Sequence, residues 1–140
     1  MKNWINIKSL LLVLGMGLFS IQLAAQSGPM YIVNSSNCYV YIDYVEAYSC
    51  PSTVCYASPN NVCLAPGDVA TVNPCGNTTF QWAIGAISLA DANCTPCGSL
   101  YEVQQFVSCY SSFNPVQFPG CGTCSGAVGE WIASNIIEIK

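Results

Sequence analysis

Two elements of the sequence place a pair of cysteines three positions apart, the spacing used by redox sites and by zinc sites. Cys94 and Cys97 form the first pair, and Cys121 and Cys124 form the second, within the segment PGCGTCSG. One such pair is the reactive core of thiol–disulfide oxidoreductases, and two pairs together can ligate zinc. Alternatively, all four sulfurs belong to structural disulfides. The remainder of the sequence bears on which of these interpretations holds.

The beginning of the chain has the pattern of a cleaved signal peptide. Lys2 and Lys8 provide a positive start, residues 9–23 are an apolar stretch, and two alanines then offer a cleavage point. The apolar run is short for a membrane span, and no stop-transfer charges follow it. The sequence therefore predicts a signal peptide over residues 1–25 and an exported protein, extracellular or periplasmic, without a membrane anchor after cleavage.

The cysteines favour a disulfide framework over redox or metal chemistry. All ten follow the predicted signal peptide: Cys38, Cys50, Cys55, Cys63, Cys75, Cys94, Cys97, Cys109, Cys121 and Cys124. An even number in an exported chain is typical of disulfides, and oxidation competes there with thiolate ligation of zinc. The second pair is followed by Ser-Gly-Ala-Val-Gly, a poor start for the helix that a thioredoxin-type site requires. We predict that the cysteines of PGCGTCSG bond to distant partners.

Composition removes several further classes of function. The chain has no histidine and no arginine, which excludes histidine-activated nucleophiles and arginine clamps for phosphate. After signal cleavage only Lys140 is basic against seven acidic residues, so the net charge is about −6 and nucleic acid is a poor partner. A carboxylate-dependent hydrolase remains an alternative, but Asp68 and Asp91 have the context of turn residues. No cofactor is predicted.

Period-two alternation predicts an all-β protein. Short segments alternate between apolar and polar residues and are separated by clusters of Pro, Gly, Ser and Asn. The predicted strands cover residues 31–33, 38–46, 69–72, 79–84, 100–108, 116–118 and 131–139, the last of which also fits a short helix. Residues 65–68, Ala-Pro-Gly-Asp, predict a type II turn. These elements indicate an antiparallel β-sandwich or open barrel, stapled by disulfides, with residues 26–140 as one domain.

The strand over residues 38–46 carries the candidate contact surface. Alternation predicts one buried face, made of Cys38, Val40, Ile42 and Tyr44. It predicts one partly wet face, made of Tyr39, Tyr41, Asp43 and Val45. Aromatic rings beside a carboxylate suit a carbohydrate or protein ligand, so Tyr39, Tyr41 and Asp43 are the candidate site of a non-enzymatic binding module. The alternative is that these tyrosines only cover a half-exposed sheet.

Phe80, Trp82 and Ile84 are expected on one side of the strand over residues 79–84. Their apolar neighbours place Trp82 in the core, and the same reasoning places Trp131 there. Neither tryptophan is therefore a candidate contact residue.

Three segments carry a resemblance to known proteins: Tyr31-Ile32-Val33-Asn34 with Cys38, Leu64-x-Pro66-Gly67-Asp68, and Phe80-x-Trp82-Ala83. The arrangement resembles small exported cysteine-rich β proteins of unknown function from Gram-negative bacteria. The opening strand and its Pro-Gly turn are also faintly similar to the start of thaumatin-like β-sandwiches. The chain is much shorter than that family and lacks its arginine and acidic-cleft pattern. Both resemblances imply an exported all-β domain and carry no function across.

Overall fold

A computed structural model describes residues 28–50, 53–60, 62–75, 80–107 and 114–140. Within these ranges the chain forms only β-strands and loops, and there is no helix long and apolar enough to cross a membrane. The signal peptide predicted over residues 1–25 lies outside the described part of the chain, as does Cys109. The prediction of an all-β protein is confirmed.

Ten strands form two sheets. The strands are β1 (Met30–Asn34), β2 (Tyr39–Ser49), β3 (Thr53–Ala57), β4 (Cys63–Leu64), β5 (Val69–Val72), β6 (Gln81–Ala90), β7 (Tyr101–Gln104), β8 (Val116–Cys121), β9 (Cys124–Ala133) and β10 (Ile136–Ile139). The first sheet has the order β5-β1-β10-β9-β8, and the second has the order β3-β2-β6-β7, with β4 also paired to β2. All pairs are antiparallel except β1 with β10, which are parallel.

The two sheets share one hydrophobic core. The first sheet contributes Ile32, Val72 and Ile137, and the second contributes Val40 and Ile87, all of them fully buried. Burying one such side chain stabilises the fold by about 1.5–3 kcal/mol. The arrangement agrees with the predicted sandwich, because each sheet turns one face inward and leaves the other outward.

Two tryptophans take part in this core, as predicted. Trp82 lies on β6 and is 2% exposed, and Trp131 lies on β9 and is 9% exposed. The Trp131 indole N–H donates to the backbone oxygen of Val103 on β7 at 2.9 Å. This buried hydrogen bond joins the two sheets directly, since β9 and β7 belong to different ones.

Disulfides also join the two sheets. Three of them connect a strand of one sheet to a loop beside a strand of the other: Cys38–Cys124, Cys55–Cys75 and Cys97–Cys121. A fourth, Cys63–Cys94, ties β4 to the loop after β6 within the second sheet. Cys50 is also disulfide-bonded. The predicted disulfide-stapled fold is confirmed.

A buried asparagine organises the end of the first sheet. Asn34 is fully buried, and its Nδ2 group donates to the backbone oxygens of Cys38 at 2.7 Å, Leu64 at 3.2 Å and Ala65 at 3.0 Å. Its Oδ1 accepts from the hydroxyl of Ser36 at 2.7 Å. One side chain thus satisfies the polar groups of two loops, which is what a buried polar residue needs.

The turn predicted over residues 65–68 is confirmed. The amide of Asp68 donates to the oxygen of Ala65 at 3.0 Å, and Gly67 has φ of 88°. A positive φ at the third position defines a type II turn, and glycine adopts it without a steric penalty. The turn delivers the chain into β5, whose bounds match the prediction.

The alternation predicted for β2 fails beyond Ile42. The pairing with β6 shifts register there: Ile42 and Tyr44 face consecutive residues of β6, so Asp43 is the extra residue of a bulge. Val40 and Ile42 are buried as predicted, but Val45 is also fully buried, and Tyr44 lies on the opposite face. The predictions for Tyr44 and Val45 were therefore wrong, because one inserted residue exchanges the two faces.

A second irregularity corrects the prediction for Ile84. Ala47 faces Trp82, but the preceding Glu46 faces Ile84, so Ala83 is bulged out of the ladder. Trp82 points into the shared core, whereas Ile84 lies on the outer side of the second sheet. The expectation that Ile84 lies on the same side as Phe80 and Trp82 was wrong for this reason.

Other differences from the predicted strands are smaller. Residues 131–139 form neither one strand nor a helix, because a turn at residues 134–135 separates β9 from β10. Strand β7 covers only the start of the predicted segment 100–108, and β3 and β4 were not predicted. These strands are short or lie at the edge of a sheet, where alternation over a few residues gives little signal.

Candidate functional site

Both C-x2-C pairs, Cys94 with Cys97 and Cys121 with Cys124, are parts of the disulfide framework. Cys97 is bonded to Cys121, so one disulfide links the two pairs to each other. Cys94 is bonded to Cys63, and Cys124 to Cys38. Neither pair closes the disulfide within itself that a thioredoxin-type site requires, and none of these sulfurs is a thiolate ready to ligate zinc. The prediction that the PGCGTCSG cysteines have distant partners is confirmed.

Cys121 and Cys124 belong to separate disulfides and lie on either side of a tight turn that contains Gly122. The two cysteines face each other at the end of the β8–β9 hairpin. Gly122 has φ of 61° at the first central position of the turn, which is the place where type II′ turns require glycine. The segment PGCGTCSG is thus a hairpin turn that presents two sulfurs to other parts of the molecule.

Peptide mapping without reduction tests this connectivity. The chain has one lysine after residue 8 and no arginine, so trypsin is of little use and pepsin is the suitable protease. Pepsin also works in acid, where thiolates are scarce and disulfide exchange is slow. We expect linked peptides joining Cys97 to Cys121 and Cys38 to Cys124. A peptide with Cys121 bonded directly to Cys124 would contradict the structure.

The two carboxylates considered for hydrolysis are turn residues. Asp68 Oδ2 accepts from the amide of Ala65 at 3.0 Å. Asp91 Oδ1 accepts from the amides of Asn93 and Thr95, both at 2.9 Å. Each carboxylate stabilises its own loop, which agrees with the interpretation favoured for them from sequence.

The predicted contact residues lie on the outer face of the second sheet. Tyr39 and Tyr41 are half-buried and face Ala90 and Ser88 of β6. Asp43, the bulged residue, is exposed. The structure therefore places these three side chains at one end of a larger surface rather than in a site of their own.

The larger surface is rich in tyrosine. Strand register puts five of the chain's eight tyrosines on this outer side, and we call them the tyrosine face: Tyr39, Tyr41, Tyr44, Tyr48 and Tyr56. Two carboxylates lie among them, Glu46 on β2 and Glu102 on β7. The outer side of the first sheet carries Tyr31 alone among the described tyrosines. Tyrosine is therefore concentrated on one side of the sandwich.

Each carboxylate of the tyrosine face accepts hydrogen bonds from its neighbours. The hydroxyl of Tyr44 donates to Glu102 Oε1 at 2.9 Å, and the hydroxyl of Tyr48 donates to Glu46 Oε2 at 2.9 Å. Tyr56 lies opposite Glu46 in the β2–β3 ladder. These two hydrogen bonds fix the rings of Tyr44 and Tyr48 relative to the carboxylates on β2 and β7.

A small apolar cluster supports the rings from below. Ala83, Ile84 and Val107 are buried together, and Tyr44 and Tyr48 pack against them. The ring of Tyr44 meets that of Tyr56 edge to face, with centroids 6.0 Å apart. Because Tyr56 is 69% exposed, its ring is anchored on one side and open to solvent on the other.

Burial and carboxylates alter the ionisation of two tyrosines. Burial, followed by the hydrogen bond to Glu102 and its charge, raises the pKa of Tyr44 to about 12 from the usual 10.0. The charge of Glu46 raises the pKa of Tyr56. Both phenols are thus neutral at physiological pH. Because the folded-state pKa of Tyr44 lies above the unfolded one, its stabilising contribution is complete below pH 10 and is lost as the pH rises towards 12.

Titration of the tyrosinate absorbance should report this shift. The difference in tyrosinate absorbance between the wild type and Tyr44→Phe isolates Tyr44, and we expect its titration midpoint at about pH 12. The substitution Glu102→Gln should lower this midpoint but leave it above pH 10, because Tyr44 stays buried. Glu130→Gln, on the first sheet, is the matched control and should leave the midpoint unchanged. A Tyr44 midpoint unaffected by Glu102→Gln would contradict the contact.

Among the residues that the structure describes, the charges of the tyrosine face have no basic partner. The only lysine or arginine after residue 8 is Lys140, and it forms a salt bridge with Glu130. Glu130 lies on β9 and Lys140 directly follows β10, both in the first sheet. Glu46, Glu102 and the nearby Asp43 therefore make a local negative field that no described Lys or Arg side chain neutralises.

Sequence reasoning found one end of this surface and missed the rest. Tyr44, Glu46 and Tyr48 alternate with buried residues, which is a readable signal in itself. The bulge at Asp43 hid it, because unbroken alternation assigns Tyr44 to the core. Tyr56 and Glu102 come from strands distant in sequence, and only the pairing of β3 and β7 into the sheet brings them beside β2 and β6.

No group of three or more side chains able to hold a metal ion occurs among the described residues. Comparison with known proteins adds no assignment: no family model matches the chain, and no curated protein or solved structure matches it either. The resemblance to small exported proteins thus stays a prediction.

Proposed function

We propose that this protein is a non-enzymatic binding module that works outside the cytoplasm and meets its ligand through the tyrosine face. The observation that carries the proposal is the concentration of five tyrosines and two carboxylates on one outward sheet surface. Tyrosine supplies large contact area with little loss of conformational entropy and is enriched in binding surfaces. Rings held by carboxylates and by a small apolar cluster are already arranged for contact.

Two features support extracytoplasmic action. Disulfides on this scale persist in oxidising compartments and are rare in the cytosol. The pattern of residues 1–25 points to export independently of the fold.

The absence of histidine and arginine from the sequence favours binding over catalysis. The chain contains no histidine or arginine, and the turn carboxylates Asp68 and Asp91 are engaged with backbone amides. The bonded cysteines of the two C-x2-C pairs provide no thiolate nucleophile. What remains on the surface is suited to recognition.

An array of defined neutral, acidic and basic peptides and oligosaccharides tests the proposal. The face variant is Tyr41→Ser with Tyr56→Ser, and the matched control is Tyr31→Ser with Ile132→Ser on the first sheet. We expect at least one probe to bind the wild type and the control but not the face variant. Loss of binding in the control variant alone would show that the site lies on the first sheet. No binding to any probe would count against a binding function.

A further inference from the structure

The hydrogen bonds around Glu46 and Glu102 leave that part of the tyrosine face with acceptors and few donors. The hydroxyl of Tyr44 donates a hydrogen bond to Glu102, and the hydroxyl of Tyr48 donates one to Glu46. Glu46 also lies opposite Tyr56 in the β2–β3 ladder. Carboxylates only accept hydrogen bonds. A phenol whose O–H already donates one hydrogen bond can only accept a further one. The part of the surface around Glu46 and Glu102 therefore offers an incoming ligand mainly lone pairs and negative charge.

A ligand complementary to such a surface carries donors without acceptors. Lysine ammonium and arginine guanidinium groups have this property, whereas each sugar hydroxyl brings an acceptor together with its donor. After residue 8 the chain has one basic residue, Lys140, which is paired with Glu130 on the first sheet. The protein therefore does not supply the cationic donors that this surface would bind.

The rings provide a second feature that suits cations. Tyr56 is 69% exposed, and Glu46 lies beside it in the β2–β3 ladder. A cation near a tyrosine ring is attracted to the π face, and the alkyl stem of lysine or arginine packs against the ring. The edge-to-face contact of Tyr44 with Tyr56 does not form the coplanar platform that would favour flat stacking of a sugar.

We propose that the tyrosine face docks a basic polypeptide, with lysine or arginine side chains placed on its rings between Glu46 and Glu102. This inference rests on the proposed function, because it names the ligand class of the same surface. The occupant is a partner protein or peptide rather than a second copy of this chain, because that copy has only Lys140 to offer after residue 8.

The test uses the purified, oxidised protein and a synthetic lysine-rich peptide, with the same peptide acetylated on every lysine as the neutral probe. Acetylation removes the charge and keeps the length of the side chain. We expect binding of the first peptide only. Binding should weaken strongly when the salt concentration is raised to about 1 M, where the Debye length falls to about 3 Å.

Two double variants with equal change in net charge locate the site. The double substitution Glu46→Gln with Glu102→Gln is expected to weaken binding of the lysine-rich peptide by about tenfold or more, because close charge pairs are lost. The double substitution Glu130→Gln with Glu138→Gln, on the first sheet, should weaken binding of the peptide by less than about twofold, because these charges lie far from the tyrosine face. Since Glu46 is buried, Asp43→Asn with Glu102→Gln serves as a second face variant that alters only exposed side chains.

The outcomes separate the two proposals. Equal weakening in face and control variants would show that only net charge acts, and would overturn the basic-peptide site. Binding of a neutral oligosaccharide at the tyrosine face, with none of the lysine peptide, would overturn the ligand class and leave the binding module standing. Failure of every probe at that face would overturn both.

Discussion

Replacing Cys38 and Cys124 with alanine is expected to lower the free energy of unfolding by roughly 4 kcal/mol, which is a large share of a small domain's stability. The disulfide joins residues 86 positions apart and connects the start of β2 to β9 in the other sheet. The disulfides Cys63–Cys94 and Cys97–Cys121 shorten the effective loop to segments 38–63, 94–97 and 121–124. Loop entropy depends on that shorter path.

Denaturant unfolding followed by tryptophan fluorescence measures the change, because Trp82 and Trp131 are buried between the sheets. The comparison variant is Cys55→Ala with Cys75→Ala, which opens a loop of separation 20 and should cost about 3 kcal/mol. A loss below about 1 kcal/mol for the Cys38–Cys124 pair would contradict a bond that constrains the unfolded chain in this way.

Asn34→Asp should destabilise the protein by about 3–5 kcal/mol near neutral pH. The substitution keeps the shape of the side chain but replaces its two N–H donors with a carboxylate oxygen facing three backbone oxygens. Those buried acceptors lose their donor, and a negative charge is placed among them without a partner. The hydrogen bond from Ser36 to the other oxygen can persist, so the loss comes from the donor side.

The loss from Asn34→Asp should also depend on pH. Burial and the facing oxygens raise the folded-state pKa of the new carboxyl above its unfolded value of about 3.9. Stability relative to the wild type is therefore highest below about pH 4, where the group is protonated in both states, and falls as the pH rises. Unfolding of both proteins at each pH gives the difference directly. A deficit that does not change between acid and neutral pH would contradict the buried carboxylate.

Asn93→Asp is the matched control for that experiment. Asn93 is exposed, and its hydrogen bond to Asp91 uses the backbone amide rather than the side chain. The same chemical change there should alter stability by no more than about 0.5 kcal/mol. Equal losses at the two positions would mean that Asn34 is not the buried donor that the structure shows.

The all-β fold class could be predicted because strands and turns leave local patterns in the sequence. The strand over residues 69–72 and the turn before it follow from alternation and from Pro66-Gly67, and the structure has both. The long strand β2 was recognised but its faces were not followed correctly, because the bulge at Asp43 changes the phase without changing the composition. Strands β3 and β4 escaped prediction because they are short and are held by pairing to β2.

By itself, the sequence determined an all-β chain with a disulfide framework and the absence of histidine and arginine chemistry, since these depend on residue types and short-range pattern. Tertiary structure alone decided which cysteines pair, because many pairings of ten cysteines are compatible with the same spacing. It also assembled Tyr44, Tyr56 and Glu102 into one surface. Their proximity depends on the register shift at Asp43 and on contacts between strands distant in sequence, and no local pattern encodes either.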